Sequence, residues 1–90
     1  MRLTFDPAKN DRNIAERGLS FDRVADLEWE TAVSIEDTRK DYGERRVRVL
    51  GLIGARLHVV VITMRKNAMH VISFRKANRK EVKRYEQQKR

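Results

Sequence analysis

Two hydrophobic periods divide the chain: apolar positions recur at helical spacing up to about residue 29, and from Ala32 onward they alternate with polar ones. Asp6 followed by Pro7 predicts a helix start, with the Asp side chain as cap and Pro at the first position. Gly18 is a suitable stop, so a helix is expected over about 7–17. Ser20 caps a second stretch in which Phe21, Val24, Ala25 and Leu27 form one face of a helix over about 21–29, closed by Trp29. Val33 and Ile35 open the period of two, TRKDYGE turns the chain, and the runs RRVRVLGLIG, RLHVVVITMR and MHVISFR follow. They are separated by Gly54-Ala55 and by Lys66-Asn67-Ala68, which predicts an antiparallel meander. Asn78 with Glu81 three residues later forms a capping box, so a final helix is expected from about 79 onward. The expected class is α+β: two N-terminal helices packed on an antiparallel β-meander of three to four strands, followed by a basic C-terminal helix.

Turn lengths set the register. A two-residue loop at Gly54-Ala55 places Ile53 opposite Arg56, Leu50 opposite Val59, Arg48 opposite Val61 and Arg46 opposite Thr63. A three-residue loop at 66–68 places Arg65 opposite Met69, Val61 opposite Ser73 and Val59 opposite Arg75. One face then carries Val47, Val49, Ile53, Val60, Ile62, Met64, Ile72 and Phe74, and it receives the helices. His58 and His70 fall on this apolar face as core or edge residues. The other face carries Arg46, Arg48, Thr63, Arg65, Ser73 and Arg75 among Leu50, Val59, Val61 and Val71. Guanidinium groups stay charged and give bidentate hydrogen bonds to phosphate oxygens, so this face predicts a phosphate-binding surface. The plainer alternative is a solvent-facing sheet whose arginines lie over apolar neighbours. In this register Arg65 and Arg75 stand roughly 20 Å apart along the strands, whereas Arg48, Ser73 and Arg75 are nearer neighbours.

Charge sharpens that expectation. Residues 1–45 hold 8 Lys/Arg against 11 Asp/Glu, net −3, and residues 46–90 hold 13 against 2, net +11. A positive field concentrated on half of a small domain attracts a polyanion, most economically nucleic acid. At 90 residues a single domain, 1–90, is expected. There is no cysteine, so disulfide scaffolds and thiolate metal sites are excluded, and no metal or other cofactor is expected. Asp22, Asp26 and Glu30 share a helical face, which suits solvent or a basic partner better than a cation. The longest apolar run, Leu57 to Met64, is interrupted by His58 and far too short to span a bilayer, and MRLTFDPAKN lacks the apolar segment of a signal peptide. A cytoplasmic protein with no membrane partner is expected.

FDPAKNDRN, RGLSF, DYGERRVRVLG, the Gly54-Ala55-Arg56-Leu57 turn leading into VVVITMR, and VISFRKANRKEVKRYE together resemble the BrnT-like toxins of bacterial type II toxin-antitoxin systems, which group with the RelE-like ribonucleases. The resemblance runs over nearly the whole chain. It implies a RelE-like fold and a metal-independent endoribonuclease in which the 2′-hydroxyl attacks the adjacent phosphodiester, inhibiting translation and growth until a cognate, BrnA-like antitoxin neutralises it. RNA, free or on the ribosome, is the implied target, and operator DNA is implied only through the antitoxin complex. Arg65 in TMR and Arg75 in SFRKAN are the matching positions expected to stabilise charge on the phosphate. Arg46, Arg48, Ser73, Lys76, Arg79 and Lys80 are expected to hold flanking RNA, and Glu81 and Tyr85 are the candidates for general acid and base. Where the family has Lys-His-Gly before the second helix, this chain has Glu16-Arg17-Gly18, so that histidine's proton-transfer role has no counterpart. The competing function is a non-catalytic RNA- or ribosome-binding module using the same basic face.

Overall fold

In the computed structural model, which describes residues 2–89, the order is β1 (Arg2–Phe5), α1 (Pro7–Arg17), two 3-10 turns (Phe21–Asp26 and Trp29–Thr31), β2 (Val33–Glu36), β3 (Val47–Ile53), β4 (Arg56–Arg65), β5 (Ala68–Lys76) and α2 (Arg79–Gln88). The α+β class is as expected, but the sheet is mixed and five-stranded, in the order β1-β5-β4-β3-β2. The strands β2 to β5 make the antiparallel meander, and β1 lies parallel to the outer edge of β5. Four residues are too few to show a period, so RLTF becomes a strand only because β5 offers it an edge.

The helix ends behave as their chemistry requires. Asp6 accepts a hydrogen bond from the Ala8 N–H at 2.9 Å, and Gly18, at φ 68°, turns left-handed so that its N–H reaches the Ile14 carbonyl at 2.8 Å. The helix expected over 21–29 is instead two 3-10 turns. Ser20 caps the first, accepting from the Asp22 N–H at 3.2 Å, and its buried residues Phe21 and Val24, with Leu27 just past its end, follow a period of three. At Leu27 the chain turns extended and the Glu28 N–H donates to the Leu52 carbonyl on β3 at 2.8 Å, a tie that a continuing helix could not make. A Cβ on Gly51 would stand 2.5 Å from Leu27 Cδ2, so the close seat of this turn on β3 depends on glycine.

The β3–β4 hairpin has the expected register, from Ile53 opposite Arg56 to Arg48 opposite Val61. The β4–β5 turn differs. Lys66 and Asn67, at φ 48° and 64°, close it as a two-residue turn, the form whose twist suits a hairpin, so Arg65 faces Ala68 rather than Met69. A β-bulge then absorbs Ile72 and restores Val61 opposite Ser73 and Val59 opposite Arg75. Between turn and bulge the faces are exchanged relative to expectation. Val71 enters the helix-side core, Ile72 is half-buried outside it, and His70 lies on the other face, with Nδ1 2.9 Å from Thr4 Oγ1.

Both faces of the sheet are covered. On one, Leu19, Phe21, Val24 and Leu27 pack on Val49, Val60, Ile62, Val71 and Phe74. On the other, Val82 and Tyr85 of α2 pack against Leu50, Leu57, Val59 and Ala77. The basic helix therefore lies on the arginine-bearing face, and that face remains open beside it.

Candidate phosphate-binding cleft

Two adjacent rungs of the sheet form the floor of the cleft. Arg48, Val61 and Ser73 share one rung, and Leu50, Val59 and Arg75 share the next. The end of α1 brings in Arg17 and the β2–β3 connection brings in Arg39. Together these residues enclose a cavity of ≈ 210 Å³ lined by Arg17, Arg39, Arg48, Val59, Val61, Ser73, Phe74 and Arg75.

Each arginine is held differently. Arg17 donates from Nη1 to Asn13 Oδ1 at 3.1 Å, and the buried Asn13 is fixed in turn by donating to the Leu19 and Phe74 carbonyls, both at 3.0 Å. Arg39 forks onto the buried Asp37, Nε to Oδ1 and Nη2 to Oδ2, both at 2.8 Å, while the Tyr42 hydroxyl donates to Oδ2 at 3.3 Å. The Arg39 hydrogen bonds hold the Asp37 carboxyl far below the usual range despite its burial. Arg75 forks onto Glu81 with both bonds at 2.8 Å, and Glu81 Oε1 also accepts from the Asn78 N–H at 2.9 Å in the capping box. The Arg75 bonds, opposed by burial and helped by the Asn78 N–H, hold Glu81 below its ordinary pKa. Arg48 is the exception: its Nε is buried and has no hydrogen-bond partner among the described residues.

Of the residues singled out from sequence, Arg48, Ser73 and Arg75 are brought together here. Lys76 lines the adjoining groove with Arg17, Leu19 and Arg75, and Arg79 and Lys80 are exposed on the first turn of α2. Arg46 and Arg65 form a separate cluster. Both bond to Glu44, at 3.1 Å each, and Arg46 stacks over the Tyr42 ring at 4.1 Å. Along β4, Arg65 is four residues past Val61, about 13 Å at strand rise. Glu81 stands behind Arg75 rather than in the lining. Tyr85 turns away, its ring in the core under α2 and its hydroxyl donating to the Thr31 carbonyl at 3.4 Å. His58 is buried on the helix side, stacked on Phe74 with centroids 5.4 Å apart and its pKa lowered by burial. The additional cleft residues are Arg17 and Arg39. Arg39 carried a faint signal, an Asp two positions earlier and a Tyr three later in a segment that otherwise reads as a turn.

Residues 5–81 match the family described as ribonuclease toxin, BrnT, of type II toxin-antitoxin system. The chain belongs to the BrnT toxin family. No curated protein matches it. The stretch shared with the BrnT family contains every cleft residue and ends at Glu81, four residues short of Tyr85. Membership of a type II toxin family also carries an antitoxin partner with it. Among the described residues of this BrnT toxin no helix is long and apolar enough to cross a membrane. The cleft can hold an anionic oxygen cluster from several directions at once, and its lining contains no carboxylate, histidine or tyrosine.

Proposed function

We propose that this BrnT toxin is a metal-independent, RelE-like endoribonuclease of the cytoplasm that cleaves RNA, free or on the ribosome, until its antitoxin covers the cleft. The observation that carries this reading is the convergence of Arg17, Arg39, Arg48 and Arg75 with Ser73 on one cavity of ≈ 210 Å³. In the reaction the 2′-oxygen forms a bond to phosphorus while the bond to the 5′-oxygen breaks. Charge grows on the non-bridging oxygens, and fixed guanidinium groups on apolar Val59 and Val61 stabilise that state more than the starting diester. Arg48 and Arg75 grip the reacting phosphate. Arg46 and Arg65 on one side, and Lys76, Arg79 and Lys80 on the other, hold phosphates further along the strand. Glu81 acts here by fixing Arg75, and protons pass through water at the open mouth.

The cleft's lack of an acid–base side chain favours a second reading, a non-catalytic RNA-binding module. One experiment separates the two. Purified protein incubated with RNA in EDTA should yield discrete fragments, and inducing the chain in a bacterial host should arrest growth and shorten bulk mRNA. Tight RNA binding with intact RNA, at verified soluble expression, would leave only the binding module.

A further inference from the structure

The four cleft arginines are not electrically equivalent. Arg39, from the β2–β3 connection, is matched by Asp37, and Arg75, from β5, is matched by Glu81 of α2. Arg17, from α1, bonds only to the neutral side chain of Asn13, and Arg48, from β3, forms no ion pair among the described residues. Two positive charges are thus left without an ion-pair partner among the described residues, and both line one cavity floored by Val59 and Val61. An internal phosphodiester brings one negative charge and two free oxygens. A terminal phosphate monoester brings close to two charges at pH 7 and three free oxygens. We propose that the cleft is selective for a phosphate dianion and takes the terminal phosphate monoester of an RNA end in preference to an internal diester.

This rests on the assignment of the cleft as a phosphate site, but not on catalysis. Arg48 and the Ser73 hydroxyl line the cavity as donors for the additional oxygen, and Arg17 reaches it from the end of α1. A cleft that holds two charges also matches the doubly charged phosphorane formed by attack of a 2′-alkoxide. The cleavage itself leaves a 2′,3′-cyclic diester with one charge, and only when water adds to phosphorus and the bond to the 2′-oxygen breaks does the end become the dianionic 3′-phosphate that the cleft retains. The protein's own charge in the cleft stays constant between pH 5 and 8. Asp37 and Glu81 are held ionised by Arg39 and Arg75, Lys76 lies in the next groove, and neither histidine lines the cavity. Any pH dependence of binding in that interval therefore follows the ligand, whose second ionisation lies near pH 6 (about 6 for a phosphate monoester).

The test compares 2′-deoxyadenosine 3′-phosphate with its methyl diester, which cannot be cleaved, by calorimetry on the full chain at low salt. At pH 7.5 the monoester should bind about tenfold tighter or more. At pH 5.0, with one charge on each ligand, the preference should largely disappear. Arg48→Gln should abolish the preference at pH 7.5 with little change in melting temperature. Equal affinities at pH 7.5, or a preference unchanged at pH 5.0, overturn the inference in the unaltered protein. The 5′-phosphate isomer and inorganic phosphate are the source controls. Tighter binding of either nucleotide than of inorganic phosphate supports an RNA end, and inorganic phosphate binding as tightly as both overturns it. RNA cleavage without a monoester preference would overturn this inference and leave the ribonuclease standing. A monoester preference without cleavage would do the reverse.

Discussion

Arg48 and Arg65 lie on the same broad face of the sheet in different circumstances. Arg48 lines the cleft and its buried Nε has no hydrogen-bond partner among the described residues, whereas Arg65 shares Glu44 with Arg46 about four residues further along the strand direction. Arg48→Ala should lower the rate of RNA cleavage on the order of 10²-fold, the usual cost of removing a preorganised charge-stabilising donor. Arg65→Ala should act mainly on substrate affinity, by less than about tenfold, because phosphate contacts outside the reacting group position rather than react. Single-turnover rates against substrate concentration separate the two effects. Asp37 supports the cleft at one remove. Its folded pKa is depressed by Arg39, so its stabilisation is fully present above the unfolded value of about 3.9 and is lost as pH falls through the folded value. Asp37→Asn should therefore cost on the order of 1–3 kcal/mol at pH 7, with the difference from the parent protein shrinking steadily below about pH 4. Urea midpoints across that range measure it, and a penalty independent of pH would show that charge is not the cause.

The ten residues of α2 are too few to form a stable helix alone, and only Val82 and Tyr85 anchor it to the sheet through apolar contact. The Arg75–Glu81 fork adds a polar tie from β5 to its first turn, next to the Asn78 cap. Arg75→Ala removes a wall of the cleft and this tie together. Backbone amides over 79–88 should then exchange several-fold faster, while those of β4 and β5 keep their protection, because partly exposed ion pairs contribute modestly and locally. Hydrogen exchange by mass spectrometry resolves the segments. Unchanged exchange in α2 would mean that Val82 and Tyr85 suffice to hold it. The same element scale explains how a wrong turn length left the cleft registers right: a two-residue turn shortened the hairpin and the bulge at Ile72 put the residue back.

Across the whole molecule charge is polarised, net −3 before residue 46 and net +11 from there on. The fold keeps that polarity by laying α2 on the arginine-bearing face, where its Tyr85 hydroxyl meets the end of the second 3-10 turn at the Thr31 carbonyl. An antitoxin with an acidic, partly disordered segment can cover α2 and the cleft together, neutralising charge and blocking RNA with the same contacts. Toxin–antitoxin affinity should fall with rising salt, and exchange over 79–88 should slow on complex formation. Protection confined to α1 and the 3-10 turns would place the inhibitor on the acidic side instead.

Local chemistry determined a large part of this protein from sequence alone. The caps at Asp6, Gly18 and Asn78 depend on groups within a few residues of each other, as does the Gly54-Ala55 hairpin that sets Arg48 across from Val61. With the correct distal register of β5, this was enough to bring Arg48, Ser73 and Arg75 together. The remainder required contacts distant in the chain. β1 is a strand because β5 has an open edge, and the Phe21–Thr31 segment tightens into 3-10 turns because Leu27 seats on Gly51 and Glu28 reaches Leu52. Val71 and His70 change faces because a bulge and a tight turn are chosen together. Arg17 and Arg39 become cleft residues for the same kind of reason: Asn13 ties the end of α1 to β5, and the buried Asp37 fixes the direction of a connection whose period announces nothing. Side-chain periodicity reports which face a residue takes within its own element, and only packing decides which elements meet around one cavity.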